Sequence, residues 1–92
     1  MSKADEMFKK LGYESVDLKD KWDRIWGIEY RNHKKWISIK IDFKDAEICA
    51  GTLDDDSEPV YITMQELQAI NEKVKELGWE ENEWKKNFWI VY

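Results

Sequence analysis

In residues 35–43, Lys-Trp-Ile-Ser-Ile-Lys-Ile-Asp-Phe, apolar and polar side chains alternate without a break from Ile37 onward, and nothing else in the chain constrains the fold as much. A period of two cannot gather its isoleucines on one side of a helix; it makes a strand with one dry face and one wet face. A partner run lies just upstream at 24–31, across the segment Asn32-His33-Lys34-Lys35. Taken as a four-residue hairpin loop, that segment pairs Arg31 with Trp36. Tyr30 then faces Ile37, Ile28 faces Ile39 and Trp26 faces Ile41. These pairs share one apolar face, while Arg31, Glu29, Ser38, Lys40 and Asp42 collect on the other. A one-residue slip would mix the two sets, so the pattern itself specifies which side chains point inward. A turn at 44–47 leads into a third strand at 48–52, with Ile48 expected against Phe43 and Ala50 against Ile41.

Helices are predicted on either side of this meander. Over 2–11, Ser2 is placed to cap, Asp5 and Glu6 sit in the first turn, and Ala4, Met7, Phe8 and Leu11 have the spacing of one buried face. Gly12 is the stop, and 13–18 reads as a strand followed by a charged connection to Asp23. Thr63-Met64-Gln65-Glu66 is a capping box, with Ile62 and Leu67 as a hydrophobic staple. Leu67, Ile70, Val74 and Leu77 line one face of that helix, Gly78 ends it, and Trp79 is placed to fold back on its last turn. Residues 60–62 read either as a short strand or as the lead-in to this helix. Residues 88–92 could add a strand within a Trp-rich tail from 79 to 92. The expected fold class is α+β: a two-layer sandwich in one domain over 1–92, with an antiparallel sheet of three to five strands and both helices on its apolar face.

With 92 residues, the chain has room for one core and little more. No apolar run approaches the roughly 20 residues of a membrane span. The amino-terminal segment lacks the apolar stretch of a signal peptide. Cys49 is the only cysteine, which excludes an intrachain disulfide and a cysteine zinc cluster. A cytoplasmic location is therefore expected. The net charge is −5. Residues 1–46 carry 11 basic and 9 acidic residues, whereas 47–92 carry 4 and 11. That balance disfavours direct nucleic-acid binding, which needs a basic footprint. It permits a protein partner with a basic surface, including one that itself binds nucleic acid, and it leaves a homo-oligomer open.

The run Glu6-Met7-Phe8-Lys9-Lys10-Leu11-Gly12-Tyr13-Glu14 resembles the start of small uncharacterised proteins of phages and prophages in Gram-positive bacteria. The later run from Ile62-Thr63-Met64 through Glu66-Leu67, Ala69-Ile70-Asn71, Val74 and Glu76-Leu77-Gly78-Trp79 resembles their close. The likeness covers about residues 5–79. It implies no activity or cofactor; it implies a phage accessory protein of the sort that acts on host machinery or host defence.

Catalytic grammar is sparse. The single histidine, His33, falls in a predicted turn, and nothing brings it to Cys49 on the polar side of its strand. Asp54, Asp55, Asp56 and Glu58 offer oxygen atoms, but no glycine supports an EF-hand loop there, and a solvated acidic loop is expected. Enzyme activity, a metal and a cofactor are accordingly not expected. The unusual feature is six Trp, four Tyr and three Phe in so short a chain. Phe8, Trp26, Tyr30, Phe43 and Trp79 can fill the core. Trp22, Trp36, Trp84 and Trp89 remain. Trp36 is expected on the polar sheet face beside Arg31 and Lys40, either open to a partner or covered by the tail through Trp84 or Trp89. Candidate binding residues are thus Trp36, Arg31, Lys40, Asp54, Asp55, Asp56, Trp84 and Trp89. The leading functional expectation is a non-enzymatic phage-type accessory protein that binds a host or phage protein, such as an inhibitor of a defence protein. The alternatives are a homo-oligomeric binder of a nucleotide-like ligand stacked on Trp36, and a structural or interaction domain.

Overall fold

The elements run α1 (Lys3–Lys10), β1 (Glu14–Lys19), β2 (Ile25–Asn32), β3 (Ile37–Asp42), β4 (Glu47–Thr52), α2 (Met64–Glu76) and β5 (Phe88–Ile90). The computed structural model describes residues 2–54 and 60–79 and, as backbone, 88–90. Local chemistry starts and stops the helices as their sequences dictate. Ser2 Oγ accepts from the Asp5 amide at 3.0 Å, and Thr63 and Glu66 exchange both bonds of the capping box at 3.1 and 2.8 Å. Gly12 and Gly78 take the positive φ that closes each helix.

β1 to β4 form an antiparallel meander, and β5 adds to β4 in parallel, so the sheet order follows the chain. Both helices lie on one face. Phe8 of α1 stacks on Tyr30 of β2 with ring centroids 3.8 Å apart, and Ile28, Ile37, Ile39, Ile41, Ile48, Ile70 and Val74 complete a single core. Two acids, Glu66 buried and Asp5 half-buried, tie the layers together. Glu66 accepts from the Tyr13 hydroxyl and from Lys35 Nζ at 2.9 Å, and Asp5 accepts from the Tyr30 hydroxyl at 2.5 Å. Residues 60–62 form no strand and serve as the lead-in to α2.

The hairpin registers differ from the sequence expectation by two residues. Tyr30 pairs with Ile39 and Ile28 with Ile41; across β3–β4, Ile41 pairs with Ile48 and Ile39 with Ala50. The cause is the residue before each loop. Asn32 is not a loop residue but the last residue of β2, paired with Ile37, and its Oδ1 accepts the Lys34 and Lys35 amides at 3.0 and 2.9 Å. Asp42 does the same for Lys44 and Asp45 at 2.9 and 3.1 Å. Each Asx bracket closes a four-residue turn whose last residue, Trp36 or Ala46, has positive φ. A shift of two preserves parity, so every expected inward residue on β3 and β4 still points inward.

Trp26 is the exception. It was expected in the core opposite Ile41, but Leu18 pairs with Gly27 and Lys19 with Ile25, which leaves Trp26 as the extra residue of a bulge. It lies past the end of the apolar pairs and is 41% exposed. Gly27 beside it cannot carry a side chain, because a Cβ there would stand 2.5 Å from the Ile41 carbonyl oxygen.

Candidate functional site

Residues directly opposite in adjacent strands share a face. The face without helices therefore carries Val16, Glu29, Lys40 and Cys49 in one row, and Glu14, Arg31, Ser38 and Gly51 in the next. The second row leads towards the β2–β3 turn, which ends in Trp36. There Arg31, Lys40 and Trp36, three of the eight candidate binding residues, meet around one open depression of about 420 Å³, together with Glu29, His33 and Leu53.

Trp36 reaches this place from the turn and not, as expected, from a strand. Its φ is 63°, a left-handed conformation that bulky side chains rarely adopt. The Asn32 bracket and a bond from the Leu53 amide to the Trp36 carbonyl, 3.3 Å long, hold it there. The ring is 46% exposed, with His33 edge-on at 6.1 Å. His33 itself is a solvated turn residue, as its sequence position suggests, with Nε2 2.9 Å from Glu14 Oε1.

Beneath the depression the guanidinium is anchored. Glu29 is buried, accepting from Ser38 Oγ at 2.5 Å and from Arg31 Nε at 2.8 Å. Burial by itself would raise its pKa. The Ser38 hydroxyl, the Arg31 guanidinium and the Lys40 ammonium outweigh that effect and hold the carboxyl below its ordinary range. Glu29 takes the Nε side of Arg31, so the edge formed by the two terminal nitrogens is not the one it holds. Cys49 lies opposite Lys40, half-buried, with its thiol pushed up by burial and by Glu47 against the pull of Lys40. It is consequently a poor nucleophile at neutral pH.

Asp54 follows Leu53 directly and is exposed. Asp55, Asp56 and Trp84 lie outside the described residues. Trp89 is described only by its register, beside Cys49 in β5. Glu29 and Leu53 are not among the sequence candidates for this site. Leu53 was legible: it continues the parity of Cys49 and Gly51, which marks the helix-free face. Glu29 was not, because its anchoring role needs the cross-strand hydroxyl of Ser38.

At the other end of β2, Trp22 (64%), Ile25 (52%) and Trp26 form a second exposed apolar group. Asp20 braces it, its carboxylate accepting from the Trp22 and Arg24 amides and from Arg24 Nε at 2.9–3.0 Å. Lys21 and Arg24 stand over the Trp22 ring at 4.3 and 4.9 Å. Among the described residues, no cluster of acids, histidine and cysteine is arranged to hold a metal ion, and no helix is long and apolar enough to cross a membrane. The chain matches no family model, and no curated protein and no solved structure is similar to it.

Proposed function

We propose that the protein works without catalysis, by docking another protein on the helix-free face around Trp36. One observation carries this reading: a half-exposed tryptophan occupies a left-handed turn position that a glycine or asparagine would fill with less strain. Large rigid side chains of this kind dominate binding energy at protein interfaces, with arginine their common companion. The perturbed tyrosines and acids support the same reading, since Tyr13, Tyr30, Glu66 and Glu29 are all engaged in hydrogen bonds that join elements of the fold. By its resemblance the chain is a phage accessory protein acting in the cytoplasm of a bacterial host, and a host defence protein is the partner class that fits.

The depression also supports a second reading, a nucleotide-like ligand stacked on Trp36 with Arg31 and Lys40 near its phosphate, because about 420 Å³ is within the size range of small-molecule sites. Affinity capture from a bacterial host lysate, with wild type and Trp36→Gly compared, separates the two. Docking predicts a protein retained by wild type and lost by the variant. A thermal shift with mononucleotides or cyclic dinucleotides, with identical captures from both proteins, would instead favour the ligand.

A further inference from the structure

The side chains around the depression define what a partner must present. We infer that it takes a single carboxylate carried beside an apolar side chain, on an acidic peptide segment of the partner, and that Arg31 is the group that reads it. This rests on the docking role proposed for Trp36.

Arg31 is positioned before any partner arrives. The buried Glu29 carboxylate holds its Nε at 2.8 Å, and Ser38 Oγ fixes Glu29 in turn at 2.5 Å. Ordering a guanidinium normally costs side-chain entropy on binding; here the fold has already met that cost. The remaining edge, with its two terminal nitrogens, has the fork geometry that donates to both oxygens of a carboxylate. Trp36 and Leu53, on the rim, supply apolar surface for the neighbouring side chain.

Charge then chooses among anions. Among the described residues the depression holds two cations, Arg31 and Lys40, and one buried anion, Glu29, with His33 turned to Glu14. Its balance is one positive charge, which one carboxylate neutralises. A phosphate brings about 1.5–2 negative charges near neutral pH. It would leave the site negative, on a chain of net charge −5. The local balance thus matches a lone carboxylate, and the net negative charge of the chain disfavours polyanions, which is specificity by repulsion as well as attraction.

A displayed library of random peptides, selected on wild type, Trp36→Gly and Arg31→Gln, tests this, with folding of each variant verified by its melting curve. The expected result is Trp36-dependent peptides with one Asp or Glu next to Leu, Ile, Phe or Trp, whose binding falls at least about tenfold in Arg31→Gln, the loss of a charge-assisted pair. Arg31→Lys should recover only part of it, since an ammonium lacks the fork. Trp36-dependent peptides without acidic preference would overturn the inference and leave the docking role standing. Displacement of the peptides by adenosine monophosphate at lower concentration than by N-acetylglutamate amide would overturn it in favour of phosphate. Absence of any Trp36-dependent peptide would overturn both the inference and the docking role.

Discussion

Trp36 and Ala46 hold equivalent positions at the ends of two bracketed turns, with φ of 63° and 53°. An L-residue in that conformation sets its Cβ against the following carbonyl, costing roughly 1–2 kcal/mol. Replacing alanine by glycine in strands and helices ordinarily destabilises, but here the order should invert. Trp36→Gly is expected to be more stable than Trp36→Ala by about 0.5–1 kcal/mol, and Ala46→Gly more stable than wild type by a similar margin. Urea denaturation of the set checks this; alanine outranking glycine at both sites would show that the turns are not strained. The surplus of tryptophan was legible from composition, and so was the grouping of Trp36 with Arg31 and Lys40. The backbone of Trp36 was not, because a left-handed site is signalled by Gly or Asn and the residue there is neither.

Among the elements, the hairpins show how much of a sheet a period of two can specify. Alternation sets the face of every residue in β3, but register also depends on where each loop begins, and a polar residue such as Asn32 or Asp42 reads equally well as strand end or loop start. The bracket settles it, since each side chain closes two amides of its own turn. The two brackets are not interchangeable in chemistry. Asn32 is buried, and its Nδ2 donates to the Leu11 carbonyl at 3.2 Å, fastening the β2–β3 turn to the end of α1. Asn32→Asp keeps the turn but removes that donor and sets a carboxylate against a carbonyl, so it should cost about 1–3 kcal/mol. Asp42 makes no such demand, and Asp42→Asn should stay within about 0.5 kcal/mol of wild type. Equal effects in chemical denaturation would contradict the assignment. Trp26 is not legible for a related reason: the alternation continues through it, and only the bulge opposite Leu18 and Lys19 turns it out of the ladder.

On the scale of the whole molecule, the two-layer arrangement was legible because a sheet with one apolar face and two amphipathic helices has one economical packing. Its pH dependence follows from the groups that join the layers. Burial opposes the charge on Glu66, but the Thr63 amide, the Tyr13 hydroxyl and the Lys35 ammonium together lower its pKa below the ordinary value of 4.5, and Glu29 is lowered likewise. A depressed carboxyl stabilises the fold above its unfolded pKa, and that stability is lost as the pH falls below about 4.5. Burial first, and then hydrogen bonds to Glu66 and Asp5, raise the pKa of Tyr13 and Tyr30, so their share is present below about pH 10 and is lost as the pH climbs above it. Melting temperatures should therefore form a plateau bounded on both sides, and Glu66→Gln should lower the plateau and flatten its acid limb; an unchanged acid limb would remove Glu66 from this account. The claim on which the functional account turns is that partners meet the helix-free face at Trp36. A photo-crosslinking amino acid placed at position 36, and separately at Tyr61, which is 79% exposed beside the start of α2, puts that to the most direct measurement. Irradiation in a bacterial host is predicted to give a discrete protein adduct from position 36 and none from position 61; adducts from position 61 alone, or from neither position, would contradict it.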